Sequence, residues 1–525
     1  MQYLALWIPF YLFIAAVTLL FVWWRKRLNY WADRGIIHEK PSLIHGNLAD
    51  LERTQTLRDP FHNFYTKYKH DAPFGGFYLS MRIAAVIFDL DLVRHILVKD
   101  FGNFSSRGAY YNEKDDPITA HLFNLDGTSW RNMRAKLTPT FTSAKMKFMF
   151  PTVVEVAKEF VKVLQQEVEQ QNAGKANGAT QSHKAQNAVT SDDPSMQGIE
   201  IRDLLARFTT DVIGSCAFGL DCNSLHEPDT QFRVMGKKIF GEFRHGRILV
   251  AFAQAYPELS RKLGIKMIPD EVSEFFQKVV HDTAAYREKE GVQRKDFMNL
   301  LLELQKEEDG LSLQQITAQA FVFFVAGFET SSSTMGFALY ELALNQEIQA
   351  KARAEIETVL ARFDGQFTYE CMREMQYLHQ IFCETLRKYS VASITLRKTL
   401  NDYQVPNTKY VIEKGVIIVI PIDAIHRDPE IYPDPERFDP TRFEPEEKAK
   451  RHPMAWLPFG EGPRNCIGLR FGKMQAMVGL ALLLKHFKFT LAPKTKVPLE
   501  FKKGGLVLAS NDGIHLHVEP IASAK

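Results

Sequence analysis

One cysteine, Cys466, stands in the run Pro458-Phe459-Gly460-Glu461-Gly462-Pro463-Arg464-Asn465-Cys466-Ile467-Gly468, among glycines and two residues after an arginine. The glycines allow tight turns and leave room for a flat macrocycle against the backbone, with amides free to point at the sulfur. Residues 469–487 are apolar at helical spacing, so a helix is expected to begin at the loop, and its N-terminal dipole lowers a thiol pKa. The arrangement suits a thiolate bound to haem iron, which pushes electron density onto the metal and favours O–O cleavage. The plainer alternative is a small buried cysteine in a glycine-rich turn.

A second group lies in residues 313–345, which read as one helix about 50 Å long. In its middle, Ala326-Gly327-Phe328-Glu329-Thr330 places a glycine where it costs about 1 kcal/mol relative to alanine. Two readings account for that glycine. One is a local opening for dioxygen, with the Thr330 hydroxyl holding the distal oxygen and Glu329 feeding protons. The other is close packing on a neighbouring helix, with Thr330 bonded back to the preceding turn. At about 100° per residue Phe323, Ala326 and Thr330 share one face, and Phe321, Phe324 and Phe328 another. Small Ala326 would leave room for a haem, with Val322 and Phe323 walling a pocket. Haem also brings two propionates, which call for cations. Trp130 and Arg134, one helical turn apart, are candidates, followed by Arg397 and Arg464, with His121 as a lesser one.

These groups are far apart in the chain and need a scaffold. Apolar spacing predicts helices over 151–170, 201–216, 346–363 and 375–389, and short extended runs fall at 77–80, 84–89, 410–421 and 505–518. The expected class is mainly α with small β-sheets (α+β). Glu384 and Arg387 share a helix face, and Arg437 is expected to complete a buried network with them. Residues 169–197, poor in large apolar side chains, are expected to form a flexible insertion. Residues 1–24 carry no charge and are long enough to cross a bilayer, and Arg25-Lys26-Arg27 follow at once. A transmembrane signal anchor is therefore expected, then a linker over 25–50 and a catalytic domain over 51–525. The charges follow the apolar run, unlike those of a cleaved signal peptide. With 45% hydrophobic and 24% charged residues the 525-residue chain is not disordered as a whole, and a net charge of +3 makes no case for nucleic acid. Five cysteines without paired spacing imply no disulfide framework and place the catalytic part on the cytosolic side.

The pattern Phe459-x-x-Gly462-x-Arg464-x-Cys466-x-Gly468 resembles the haem-binding loop of the cytochromes P-450, and the segment around Glu329-Thr330 resembles their central helix. With the Glu384-x-x-Arg387 and Trp130-x-x-x-Arg134 pairs the resemblance covers nearly the whole chain, and it is most like the insect microsomal members of family six. The chain departs from them at Ser390, where an aromatic residue is usually followed by proline, and in a thinner proline cluster after the anchor. The resemblance implies a P-450 fold with an N-terminal transmembrane helix. It implies haem b ligated by Cys466 and surrounded by Phe459, Gly462, Gly468, Ala326, Trp130, Arg134, Arg397 and Arg464, with Thr330 and Glu329 catalytic. The implied activity inserts one atom of O2 into a lipophilic substrate, with electrons from NADPH through a flavoprotein reductase and cytochrome b5 as a further donor. Arg131, Lys136, Lys145, Lys147 and Lys473 are expected to dock the reductase. The endoplasmic reticulum membrane is the implied site and clearance of xenobiotics, insecticides included, the implied role, with hormone or fatty-acid oxidation as the alternative. A haem-thiolate isomerase or dehydratase of hydroperoxides would share the cysteine loop, but would not need Glu329-Thr330.

Overall fold

Ser312 opens the central helix with a reciprocal cap: its hydroxyl accepts the Gln315 amide while the Gln315 side chain accepts from the Ser312 amide. From there Leu313–Leu344 runs for 32 residues. The computed structural model describes residues 2–51, 53–181, 197–294 and 296–521, and this helix is its axis. Helices Ile201–Ile213, Asp270–Glu290, Gln376–Lys388 and Leu469–His486 pack around it. Phe321, Phe324 and Phe328 are buried and meet the rings of Phe218, Phe232 and Phe276, so the phenylalanine stripe is core, as its spacing predicts.

Small sheets flank the helices. The larger has the order Phe74–Leu79, Arg82–Ile87, Ile417–Ile420, Thr395–Lys398, with the middle pair parallel and the outer pairs antiparallel. In it Arg397 pairs with Ile418, and the Lys398 amide donates to the Ser106 carbonyl at 2.8 Å. That link lays the loop carrying Arg107 beside the strand carrying Arg397. A three-stranded sheet joins Ile199–Glu200, His515–Pro520 and Phe487–Leu491.

Several expectations change. Residues 25–50 are not a free linker: Trp31, Ile36 and Leu48 are buried in a second apolar core, and Gly76 lacks the Cβ that would collide with the Trp31 ring. The Trp24 indole donates to the Leu43 carbonyl at 2.7 Å, fixing the end of helix Gln2–Leu28 to the body, while that helix keeps side chains such as Leu12, Phe13 and Leu19 exposed. Of the expected insertion at 169–197, residues up to Gln181 continue helix Ser143–Gln181, because an existing helix extends at little cost through Gln, Asn, Ala and Lys; residues 182–196 lie outside the described residues. Residues 505–518 form one strand only at their end, His515–Pro520.

The buried ion pair is also redrawn. Arg387 holds Glu384 through two hydrogen bonds of 2.7 and 2.8 Å, both side chains being wholly buried. Arg437 supplies only its carbonyl, and its side chain is exposed. The second guanidinium is that of Arg442, 3.5 Å from Glu384, and the Asp439 amide donates to the same carboxylate at 2.9 Å. The chain turns between 434 and 439, which carries position 437 outward and returns 442 to the helix. Glu384→Gln should therefore lower stability to denaturant by about 3–5 kcal/mol, since it leaves Arg387 buried and unpaired. Arg437→Ala should leave the unfolding midpoint unchanged, and equal losses in the two variants would contradict this network.

Candidate functional site

The cysteine loop is folded by its glycines. Gly460 and Gly462 adopt φ of 66° and 76°, and a Cβ at Gly462 would strike the Leu97 carbonyl. Gly468 is different, with φ of −85° and open space where a Cβ would lie, so nothing in the polypeptide demands glycine there. The Cys466 amide donates to the Phe459 carbonyl at 2.8 Å, closing the loop. Arg134 clamps the residue before Cys466, donating to the Asn465 carbonyl at 2.9 Å and to its side chain at 2.8 Å. Helix Leu469–His486 begins right after Gly468, as predicted.

Cys466 presents accessible surface although protein surrounds it, so that surface belongs to an internal chamber. Burial pushes its thiol pKa up, while the Gly468 amide and the Arg107 and Arg134 guanidiniums pull the other way without prevailing. A thiol in this position ionises when a metal cation takes the sulfur.

On the central helix the residues from Ser331 to Ala343 are buried without a break, yet Ala326 is exposed and Thr330 partly so. An exposed alanine midway along a core helix marks the chamber again. Gly327 is explained by packing: a Cβ there would collide with Ile213 of the neighbouring helix. The Thr330 hydroxyl donates to the Ala326 carbonyl at 2.7 Å, so the resting geometry is the back-bonded one. Glu329 does not join Thr330. One step of about 100° along the helix carries it to Arg202, with which it pairs at 2.5 Å. Phe323 is pinned edge-on against Phe297 and Phe141, at ring distances of 4.1 and 5.2 Å, and is not a free pocket wall.

Arginines converge from five segments. Arg397 and Arg464 are buried, and Arg82, Arg107 and Arg134 are partly so. Arg464 lies 4.8 Å from the Trp130 ring and donates to the Ser105, Phe123 and Leu125 carbonyls. Arg107 stacks 4.0 Å from the Phe123 ring and donates to the Arg464 carbonyl at 3.1 Å. Among the described residues the one carboxylate paired with any of the five is Asp126, 3.3 Å from Arg464. Burial followed by repulsion from Arg464 pushes Arg397 down to about 9, and Arg107 lies well below its usual value through burial, Arg397 and Arg464. Guanidiniums do not give up their proton in proteins, so these shifts express the cost of holding the charges together. The Nε atoms of Arg107, Arg397 and Arg464 and Nδ1 of His121 are buried without partners.

Residues 38–517 match the family model of cytochrome P450. The chain is 47% identical to cytochrome P450 6a2 of Drosophila melanogaster, across 97% of this chain and 99% of that protein. It is 44% identical to cytochrome P450 6A1 of Musca domestica, across 97% of this chain and 96% of that protein. The chain belongs to the cytochrome P450 family. This P450 is a haem monooxygenase that uses dioxygen, and its residues fit the group. Cys466 and Ala326 both present accessible surface although they sit in a loop and a helix packed within the body, and a cluster of guanidiniums with unpartnered Nε atoms suits an anionic group. Sequence reasoning missed Arg107, Arg82 and Asp126 as members of this cluster. None carries a local motif: the bridge between Ser106 and Lys398 brings Arg107 to Arg397, Asp126 is tied to Ser106 and Arg107, and Arg82 arrives on a strand of the same sheet as Arg397.

The usual proline after the Glu-x-x-Arg helix is Ser390 here, and loss of a proline by itself makes a turn less rigid. Ser390 is instead buried and 2.9 Å from His426 Nδ1, while His426 Nε2 accepts the Leu457 amide at 2.8 Å. These bonds assign the proton to Nδ1, and burial pushes the ring down to about 3, so it stays neutral. The ion-pair helix is thus wired to the base of the cysteine loop. Gly462→Ala, which forces a Cβ into the Leu97 carbonyl, should abolish haem retention, read as loss of the Soret band in the purified protein; full retention would show that the loop tolerates rearrangement.

Proposed function

We propose that this P450 is a membrane-anchored monooxygenase in which Cys466 ligates the iron of haem b and the arginine cluster holds the propionates. The carrying observation is the pairing of an accessible interior cysteine with five arginines and a single carboxylate. Bound haem supplies oxygen activation and atom transfer to substrate. Arg397, Arg107 and Arg464 would anchor the carboxylates, and Trp130 supports Arg464 by a cation–aromatic contact. Arg134 acts through the loop, since both its hydrogen bonds go to Asn465; it is a positioning residue. Phe459, Gly462, Gly468 and Ala326 would line the space that takes the macrocycle.

Thr330 Oγ1 keeps its proton on the Ala326 carbonyl and offers lone pairs to the chamber, so it holds a water or a protonated group there. Glu329 relays protons from outside only after leaving Arg202, which makes that ion pair part of the delivery path.

Membrane attachment is supported by the apolar stretch Trp7–Leu28 with its basic end, so residues 1–24 are the anchor and the body follows on the cytosolic face of the endoplasmic reticulum. NADPH supplies electrons through a flavoprotein reductase, with cytochrome b5 as a further donor. Of the basic residues expected to dock the reductase, Lys147 is paired with Glu370, Lys136 donates to the Asp309 carbonyl and Lys473 is half-buried, which leaves exposed Arg131 and Lys145. The substrates are lipophilic xenobiotics, insecticides among them, as the likeness to family six proteins of flies supports.

Cys466→Ala should remove the red-shifted Soret band of the reduced carbon monoxide complex, and an unchanged band would refute thiolate ligation. Charge reversal of both Arg131 and Lys145 to Glu should raise the reductase concentration needed for half-maximal turnover severalfold; an unchanged titration would rule out that docking face.

A further inference from the structure

Beside the cysteine loop, a cleft of about 200 Å³ opens between helices Gln376–Lys388 and Leu469–His486 and the short helix Pro445–Ala449. Its walls are aromatic. Phe382 and Phe459 lie nearly parallel with ring centres 6.4 Å apart, and Trp456 meets Phe443 edge-on at 5.5 Å. The Trp456 indole is held by the Cys383 carbonyl at 3.3 Å, so the wall is fixed.

The charges around the cleft are one-sided. Lys448 and Lys473 both line it, and Arg373 stands close enough to act on Lys473. Among the described residues none of the three has a carboxylate partner or a side-chain hydrogen bond. Lys473 is half-buried, and burial followed by repulsion from Arg373 and Lys448 pushes its pKa down. The other polar groups of the lining are neutral and do not offset these charges. Burial pushes the Cys383 thiol up to about 12, and burial with Lys473 and Lys448 pushes His379 down to about 4. An ammonium group partly withdrawn from water without a protein acceptor is unfavourable, and an anion relieves it.

We propose that this cleft binds a small aromatic carboxylate, with its ring between the Trp456 and Phe459 walls and its carboxylate on Lys473 and Lys448. The shape and the charge select the same class. A neutral lipophile leaves Lys473 unpaired, and an aspartate or glutamate side chain has no ring to fill the aromatic walls. The lining of this cleft includes neither Cys466, Ala326, Thr330 nor any of the clustered arginines, so its occupant does not depend on which substrate the enzyme oxidises.

The test uses the purified full-length holoenzyme with its chamber saturated by an azole inhibitor, whose spectral shift independently checks the haem assignment. Titration calorimetry with 2-naphthoate should give one site per chain. The uncharged isostere 2-naphthamide should bind at least about tenfold more weakly, the weight of one charge-assisted hydrogen bond. Lys473→Gln should weaken naphthoate about tenfold, and Lys448→Gln, at an exposed position that tolerates change, should weaken it severalfold. Fluorescence quenching by naphthoate should be largely lost in Trp456→Phe. No binding, equal affinity for acid and amide, or wild-type affinity in Lys448→Gln would overturn the proposal. A failed azole shift with naphthoate binding intact would count against the haem reading alone.

Discussion

Like charges drawn into a protein interior repel far more strongly than they do in water, because the surrounding dielectric is low. Arg82, Arg107, Arg134, Arg397 and Arg464 are nevertheless gathered around one carboxylate, Asp126. Much of the local architecture consists of main-chain acceptors that make this tolerable. The Ser105, Phe123, Leu125, Leu396, Gly108 and Asn465 carbonyls each take a guanidinium proton. Carbonyl dipoles soften the repulsion without cancelling net charge. What remains is a standing preference for a dianion in one place, which is the electrostatic form of the specificity proposed for the haem propionates. Ser106 Oγ and the Arg107 amide are in turn bound to Asp126 at 2.7 and 3.3 Å, so the lone carboxylate serves to fix the loop as much as to balance charge.

The same loops that carry the charges also set the cysteine. Arg464 is two residues from Cys466, Arg134 holds the residue between them and Arg107 holds the Arg464 carbonyl. A change that displaces one guanidinium therefore moves the sulfur as well. On its other side the loop is tied through the Leu457 amide, His426 and Ser390 to the helix of Glu384 and Arg387. The buried ion pair has no chemistry of its own here. Its consequence is rigidity in the support of the ligand, because neither side chain can shift without exposing a charge to an apolar core.

Long helices and the loop motif were readable in the sequence because periodicity and glycine placement are local signals. The central helix ends within a residue of its expected bounds, and the turn of Gly460 and Gly462 follows from positive φ. What was not readable depends on contacts between distant segments. Arg437 and Arg442 are equally plausible partners for Glu384 on paper, and the turn between them decides. Arg107 has no motif, and its place follows from the Ser106 to Lys398 bridge, 292 residues apart in a register no composition reveals. Residues 25–50 look like a linker because the pocket that buries Trp31 is made by the absence of a side chain at Gly76.

Gly327 shows why a structural reading and a functional one need not compete. Its lack of a side chain lets helix Ile201–Ile213 approach closely, and that approach puts Arg202 against Glu329 and lets the Thr209 hydroxyl donate to the Phe328 carbonyl at 2.9 Å. The packing thus reserves Glu329 for one side of the helix and leaves Ala326 and Thr330 alone on the chamber side. A bulkier residue at 327 would push the two helices apart, free Glu329 from Arg202 and disturb Thr330 through the shared turn. The separation of acid from hydroxyl is therefore built by close packing, and any transfer of a proton between them must pass through a change in the Arg202 pair.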